Sequence, residues 1–373
     1  MKHFFMTRVS CACALALAAP LAPAHAGEGI DLGGIVRANY KYIDYSEASK
    51  DKGGDFAFEM LSLKTSGEIN GIGLFVDYRF YDGYDTARYA YATYQLNDSW
   101  TLNGGLAKVP FGNPGYISNS FWFGVPYYLG FEDDYDMGVT GSYVAGDLTL
   151  DLGFFKNAEY SATNNQRYSV DLFRGEVNGN RYSVEEANQL NLRGAYRLTS
   201  GDLKAVLGAS VEVGQVYDAD SGDTGNRHAY AVHADLTLNR WNLMLQYMGY
   251  QFDTLSDDLP DTMAVSASGW QYEVAAEAQI VSANLAYTIP FDWGSVKLYN
   301  DYGVLISDTD NAKFEDSIQN VTGMAIAAGP TYTYVDFITG KNMVYSGTNN
   351  HVGLAQTDSG WDYRININFG YYF

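Results

Sequence analysis

The last thirteen residues restrict the fold of this chain more than any other segment. Between Trp361 and Phe373, one parity is aromatic or aliphatic throughout: Trp361, Tyr363, Ile365, Ile367, Phe369, Tyr371 and Phe373. The other parity is polar apart from its last residue: Asp362, Arg364, Asn366, Asn368, Gly370 and Tyr372. Because successive side chains of a strand point to opposite faces, the segment predicts a β-strand with one apolar face.

The same alternation recurs along the chain, for example in 74–80, 148–154, 190–198, 241–247 and 281–289. The polar parity of these segments carries charged residues, which a packed, water-free core would exclude. A wet interior and an apolar exterior are typical of a membrane β-barrel. The composition agrees, with 32 Tyr, 19 Phe and 39 Gly. After residue 26 no segment has the roughly 18 consecutive apolar residues of a transmembrane helix.

Short and long connections alternate between the predicted strands, as in bacterial outer-membrane barrels. We predict an all-β fold, a transmembrane antiparallel up-and-down β-barrel of about 16 strands, with 14 or 18 as alternatives. The predicted strands are 30–45, 55–69, 72–81, 88–97, 101–111, 138–146, 148–158, 189–199, 202–216, 227–238, 241–253, 278–290, 294–307, 317–328, 331–343 and 361–373. Segment 159–188 is ambiguous because Tyr168–Phe173 could form a further short strand.

The first 26 residues have the features of a cleaved export signal. Lys2 and Arg8 precede an apolar run, and Ala24-His25-Ala26 offers a cleavage site. A retained N-terminal anchor is the alternative. Cleavage would leave residues 27–373 as the barrel domain, without cysteine and therefore without disulfides. The formal charge would change from −21 to −23, because two basic residues and no acidic residue are lost. Such a charge excludes nucleic acid as a partner.

Two blocks of the chain, about 100–140 and 295–373, resemble a known family. Lys108-Val109-Pro110-Phe111-Gly112 and the run Glu132-Asp133-Asp134-Tyr135-Asp136-Met137-Gly138 are similar to the porin family that includes the phosphate-selective porins O and P. Further similar stretches are Tyr299-Asn300-Asp301-Tyr302, Asn320-Val321-Thr322-Gly323-Met324 and Ala328-Gly329-Pro330. The resemblance implies a trimeric, 16-stranded porin of the Gram-negative outer membrane, with a third loop folded inward.

The C-terminal Phe373 also resembles the signature by which outer-membrane barrels are passed to their assembly machinery. The expected partners are therefore this machinery, outer-membrane lipid and lipopolysaccharide, two further copies of the chain, and small solutes or ions. No cofactor and no metal are predicted.

The connection 114–137 is the candidate for the inward loop. It contains six apolar residues that water would solvate poorly: Phe121, Trp122, Phe123, Tyr127, Tyr128 and Leu129. Folding onto the barrel wall would bury them. The alternative is an external loop that packs against other loops or another subunit.

Charged residues in and near this loop are the candidates for a pore constriction. The candidates are Lys108, Glu132, Asp133, Asp134 and Asp136, together with the lumen-facing Arg37, Arg79, Arg193, Arg197 and Arg364. Between Lys108 and Met137 the loop has four carboxylates and no basic residue, unlike phosphate-selective relatives, and rings of carboxylates favour cations. Three alternatives stay open: the carboxylates pair with lumenal arginines, solvate the loop, or form part of a calcium site that lacks a second ligand segment.

The predicted function is passive diffusion of small hydrophilic solutes through a water-filled channel. Alternatives are a channel selective for phosphate, another anion or a sugar, and a plugged structural barrel. Enzymatic activity is not expected. Nucleophilic catalysis needs a base beside the nucleophile, and after the signal the sequence has only three histidines, His228, His233 and His351. None of them has an obvious serine partner, and the sequence contains no G-x-S-x-G or H-E-x-x-H motif.

Overall fold

The computed structural model describes residues 29–113, 115–307, 314–347, 349–354 and 360–373. The predicted signal 1–26 lies outside the described residues. Sixteen antiparallel strands close into one barrel. They are β1 Gly29–Ile43, β2 Asp55–Ile69, β3 Ile72–Tyr81, β4 Asp85–Gln95, β5 Trp100–Lys108, β6 Tyr135–Ala145, β7 Leu148–Ala158, β8 Val184–Ser200, β9 Leu203–Asp218, β10 Thr224–Leu238, β11 Trp241–Phe252, β12 Glu277–Phe291, β13 Gly294–Ser307, β14 Ser317–Ala328, β15 Thr331–Lys341 and β16 Asp362–Tyr372.

The predicted fold class and the strand number of 16 are confirmed, and every predicted strand overlaps an observed one. The barrel closes where β1 pairs with β16, with Arg37 opposite Gly370 and Val36 opposite Tyr371. Phe373 continues this pairing, since its backbone exchanges hydrogen bonds of 2.9 and 3.1 Å with Gly34.

The alternation in sequence separates the two faces of the barrel wall. On β8, Leu190 and Leu192 are 54% and 46% exposed, whereas Asn191 and Arg193 between them are 3% and 4% exposed. The outer face is thus apolar and the inner face polar, the reverse of a soluble protein. An apolar outer face is stable against lipid chains.

Seven of the connections are short, and they lie at the end of the barrel where β1 begins and β16 ends. Asn70 and Gly71 join β2 to β3 with φ of +53° and +76°. Both values are positive, as a two-residue type I′ turn requires, and Asn-Gly is the pair that adopts it most readily. Trp241 and Trp293 are exposed beside such turns, next to Tyr287 and Phe291. Aromatic side chains at this level suit a membrane–water interface.

The long connections at the other end carry their own secondary structure. The first contains helix α1, Glu47–Lys52, capped by Ser46 and Gly53. A four-stranded loop sheet is formed by the short strands Asp171–Leu172, Thr262–Ala267, Trp270–Ala275 and His351–Val352. The predicted short strand within Tyr168–Phe173 is therefore present, but in this loop sheet and not in the barrel. In the described residues no helix has the length and apolarity needed to cross a membrane.

Candidate functional site

The described residues 109–113 and 115–134 between β5 and β6, which we call the inserted segment, cross the barrel and bind its inner wall. Near its start, the Gly112 amide donates to Ser210 Oγ on β9 at 3.0 Å, and Arg193 Nε on β8 donates to the Gly112 carbonyl at 2.8 Å. Further along, the amides of Asn119 and Ser120 donate to Asp301 Oδ2 on β13 at 2.7 and 2.8 Å. Polar groups of the wall thus fix the backbone of the segment, which otherwise lacks sheet partners.

Apolar side chains fill the space between the inserted segment and strands β7 to β15. Val125 and Leu129, at the ends of a 3₁₀ turn, are almost fully buried. Phe131 packs on Tyr250 with ring centroids 5.4 Å apart, and Trp122 meets Tyr345 at 5.3 Å. Each large side chain buried in this way contributes roughly 1.5–3 kcal/mol. One side of the lumen is therefore packed like a protein core.

Glu132 links two other positions of the inserted segment, Ser118 and Gly124, through its carboxylate. Its carboxylate accepts hydrogen bonds of 2.8 Å from the Ser118 hydroxyl and from the Gly124 amide. Burial raises the pKa of Glu132 to about 7, against the opposing effect of these two hydrogen bonds. Glu132 therefore acts within the segment and does not face the lumen.

The other side of the lumen is basic. Each of the five consecutive strands β1 to β5 contributes a cationic side chain on the inner face to what we call the basic wall: Arg37, Lys64, Arg79, Arg88 and Lys108. Lys64 is near enough to Arg37, Arg79 and Arg88 for their charges to interact. The side chains of Lys108 and Arg37 are 34% and 15% exposed, so solvent in the lumen reaches them.

Three carboxylates are paired with the basic wall. Asp77 Oδ2 lies 3.0 Å from Arg79 Nη2 and 3.8 Å from Arg88 Nη1. Glu59 lies 3.9 Å from Arg37. Asp133 is the third, and it is the only one of them that comes from the inserted segment.

Asp133 attaches the end of the inserted segment to the basic wall. Its carboxylate lies 2.6 Å from Arg88 Nη2 and 3.1 Å from Lys108 Nζ, and it also accepts a hydrogen bond from Tyr168. Burial alone would raise the pKa of Asp133, but the charges of Arg88 and Lys108 outweigh it and hold the pKa below its ordinary value. Asp133 is ionised and fully neutralised by its partners.

Arg88 and Lys64 were not among the residues predicted from the sequence. On β4, Tyr89 pairs with Asp77 but Ala87 pairs with Tyr78, so the register shifts at Arg88. Such a bulge reverses the parity of the extra residue, so strict alternation from Tyr89 would place Arg88 on the outer face. Lys64 follows ordinary alternation between Leu63 and Thr65, and its parity could have identified it.

The remaining predicted arginines are distributed over the lumen. Arg193 pairs with Asp151 at 2.7 Å and is buried beneath the inserted segment. The guanidinium of Arg364 stacks on Trp122, 4.2 Å from the ring centre, and that of Arg37 lies 5.4 Å from the Phe121 ring. Arg197 is exposed near the short turn after β8, away from this group.

Asp134 and Asp136 face away from the basic wall. Together with Asp171 they bring carboxylate oxygens within 4.8 Å of one another. Glu159, Glu186 and Glu212 lie close enough for their charges to raise the energy of this group. We call these six residues the acidic pocket. The contiguous acidic run 132–136 is therefore divided among three environments: the interior of the segment, the basic wall and the acidic pocket.

His228 and His233 lie on β10, and His351 lies in the loop sheet. Both ring nitrogens of His233 are buried without a hydrogen-bond partner among the described residues. His228 is exposed on β10, and His351 Nε2 lies 3.0 Å from Asn342 Oδ1.

Solved structures with this architecture include three outer-membrane proteins. The outer-membrane channel DcaP of Acinetobacter baumannii is 16% identical over 94% of this chain and 99% of its own, with a TM-score of 0.60. Outer-membrane expressed OmpT of Vibrio cholerae is 15% identical, with coverages of 92% and 97% and a TM-score of 0.57. The anion-selective porin from Comamonas acidovorans is 13% identical, with coverages of 93% and 100% and a TM-score of 0.56.

The chain shares the fold of these proteins over nearly its whole length. No model of a protein family matches the sequence, and the search of curated proteins gave no match. At these identities the likeness concerns the fold, so solute preference has to be argued from the charges of the lumen.

Proposed function

We propose that this protein is an outer-membrane porin, a passive channel for small hydrophilic solutes that favours anions. The observation that carries the proposal is the basic wall. It holds five cationic side chains, and the carboxylates paired with them are three (Glu59, Asp77 and Asp133), so 5 − 3 leaves a net charge of +2. A barrel of 16 strands is wide enough for an aqueous channel.

The preference for anions is opposite in sign to the formal charge of the chain, −21. Inside a narrow lumen, the nearest charges set the field that a solute meets. The loop carboxylates, which in sequence favoured cation selectivity, are neutralised by Arg88 and Lys108 or are buried away from the basic wall. Asp301 and Asp336, on the wall opposite, accept backbone hydrogen bonds from the inserted segment. Near the basic wall, basic side chains are thus the charged groups left to meet a solute.

The reversal potential of the refolded protein in a planar bilayer tests the proposal. Under a tenfold KCl gradient we expect the sign that chloride permeation gives. A potential of the opposite sign would contradict the anion preference, and it would revive the cation selectivity that the acidic run suggests. Phosphate is tested in the same bilayer, where a phosphate-selective channel would lose chloride current when phosphate is added.

A second candidate is a barrel plugged by its own connections. It is favoured by the apolar packing of the inserted segment and the loop sheet, in which Tyr272 on the loop hairpin donates to the Tyr128 carbonyl at 2.8 Å. Absence of conductance in the same bilayers would support the plugged barrel.

The assembly that we propose is based on the family resemblance of the sequence and on the apolar outer face of the barrel. We propose that the apolar outer face contacts outer-membrane lipid and lipopolysaccharide, that the export signal 1–26 is removed, and that Phe373 guides barrel assembly. We also propose a homotrimer. Analytical ultracentrifugation in detergent would give the mass of three chains, and a monomeric mass would contradict it. The proposal includes no catalysis.

A further inference from the structure

The acidic pocket is behind the inserted segment, on the side away from the basic wall. Its residues come from separate elements: Asp134 from the end of the inserted segment, Asp136 from β6, and Asp171 from the loop sheet. Glu159 follows β7, Glu186 is on β8 and Glu212 is on β9. Asp134, Asp136 and Asp171 are 7%, 1% and 2% exposed. Buried carboxylates at this density repel one another strongly unless they are protonated or compensated.

Two arginines pair with four of the six carboxylates and supply a charge of +2 against their −4. Arg167 lies 3.1 Å from Asp171 and 3.9 Å from Glu159. Arg227 contacts Glu186 at 2.5 Å and Glu212 at 2.6 Å. Among the described residues, no ion pair reaches Asp134 or Asp136.

Asp134 and Asp136 are the carboxylates that lack partners. Oδ1 of each is buried and has no hydrogen-bond donor among the described residues. The carboxylates of Asp171 and Glu186 are close enough to Asp134 for their charges to repel its own. Six carboxylates and two arginines give the acidic pocket a formal charge of 2 − 6 = −4, and Asp134 and Asp136 contribute −2 of it, which is the charge that one divalent cation neutralises.

The backbone fixes these oxygens in place. The Asp134 carbonyl accepts a hydrogen bond of 2.9 Å from the Val109 amide, which closes the base of the inserted segment. Asp136 lies in the β-ladder opposite Ala107 and Ala158, and Asp171 pairs with Ser266 in the loop sheet. Three rigid elements therefore direct their carboxylates to one point, which is how preorganised metal sites are built.

We propose that Asp134, Asp136 and Asp171 bind one divalent cation of the hard, oxygen-preferring class, calcium in preference to magnesium. Calcium–oxygen distances of about 2.3–2.6 Å allow opposite ligands to lie up to roughly 5 Å apart, which accommodates oxygens within 4.8 Å of one another. Magnesium requires shorter and more regular coordination. The second ligand segment that the acidic run lacked in sequence is supplied by Asp171, 35 residues beyond Asp136.

The bound cation ties three parts of the structure together. It joins the end of the inserted segment and the first residues of β6 to the loop that contains Asp171. Since the site lies outside the basic wall, the cation adds stability to the constriction and leaves its charge unchanged. Ion binding can therefore be measured in detergent, independently of whether the barrel conducts.

Isothermal titration of the refolded, metal-free protein with CaCl₂ tests the proposal. We expect one calcium ion per chain and weaker binding of MgCl₂. D134N/D136N removes both unpaired charges at nearly constant volume and should lower calcium affinity at least tenfold. The control, D220N, alters an exposed carboxylate that pairs with Arg181 at 2.7 Å and should bind calcium like the wild type. No binding by the wild type, or equal binding by D134N/D136N, would overturn the site.

Thermal unfolding gives a second readout that does not depend on titration heats. Calcium should raise the unfolding temperature of the wild type and of D220N but not that of D134N/D136N. In EDTA the double variant should be at least as stable as the wild type, because the repulsion is relieved. A double variant less stable in EDTA would show that the two carboxylates have another, structural role and would overturn the proposal. D171N is the substitute if the double variant does not fold, and it should also lose calcium binding.

Discussion

Asp133 and Asp134 are neighbours in sequence, yet they lie in opposite electrostatic environments. Asp133 is neutralised by Arg88 and Lys108 of the basic wall, whereas Asp134 faces the other carboxylates of the acidic pocket. Asp133 has a φ of +55°, so the backbone turns sharply between them. The comparison teaches that an acidic run has no single electrostatic effect when the chain passes between two walls of a barrel.

The same change, Asp to Asn, should therefore have opposite effects at the two positions. D133N leaves Arg88 and Lys108 without their carboxylate, and loss of one partner of a buried ion pair costs about 3–5 kcal/mol. D134N relieves repulsion, so it should leave the metal-free protein unchanged or more stable. The heat-dependent electrophoretic mobility of each variant in EDTA measures its thermal stability. A similar loss of stability in both variants would show that the two environments do not differ as described.

Glu132 provides a pH-dependent test of the same region. Its pKa rises from an ordinary value near 4.5 to about 7, so the folded state favours the protonated carboxyl. Protonation of Glu132 therefore adds at most about 3 kcal/mol to the free energy of unfolding. This contribution is complete below pH 4.5 and is lost as the pH rises through 7.

E132Q resembles the protonated carboxyl, because its amide can donate to Ser118 and accept from Gly124. Between pH 5 and pH 8.5 the wild type should lose more thermal stability than E132Q, and thermolysin, which cleaves beside apolar residues, should cut its inserted segment faster at the higher pH. Parallel pH profiles of the two proteins would mean that Glu132 is ionised throughout this range.

The barrel was predictable from the sequence because alternation and turn chemistry are local. Each strand shows its parity, and Asn70-Gly71 specifies its turn without reference to the rest of the fold. The candidate site was less predictable, because its pairs join distant parts of the chain. Asp133 meets Arg88, and Asp134 meets Asp171, through a bulge and a loop sheet that no periodicity reveals. Charge type could be identified in sequence, but charge pairing could not.

The basic wall itself is tested by removing its more accessible charges. At about 8 Å in water a unit charge contributes roughly 0.5 kcal/mol, and screening in 0.1 M salt reduces this to about 0.25 kcal/mol. Loss of two cations disfavours chloride and favours potassium by about 0.5 kcal/mol each, so K64Q/K108Q should lower the chloride-to-potassium permeability ratio roughly fivefold. The control is R181Q, which removes an exposed charge in a long connection and should leave the ratio unchanged. Equal ratios in wild type and K64Q/K108Q would place the selective charges elsewhere in the lumen.

Arg197 tests how far the selective region extends. It is on β8, four residues beyond Arg193, which corresponds to roughly 13 Å along the strand towards the short turns. In 0.1 M salt the Debye length is about 10 Å, so an exposed charge at this distance is largely screened. R197Q should therefore change the permeability ratio less than about 1.5-fold in 0.1 M KCl, with a larger change in 0.01 M KCl, where screening is weaker. A change as large as that of K64Q/K108Q at both salt concentrations would place the narrowest charged region at the turn end of the barrel. The inserted segment and its basic wall would then not control selectivity.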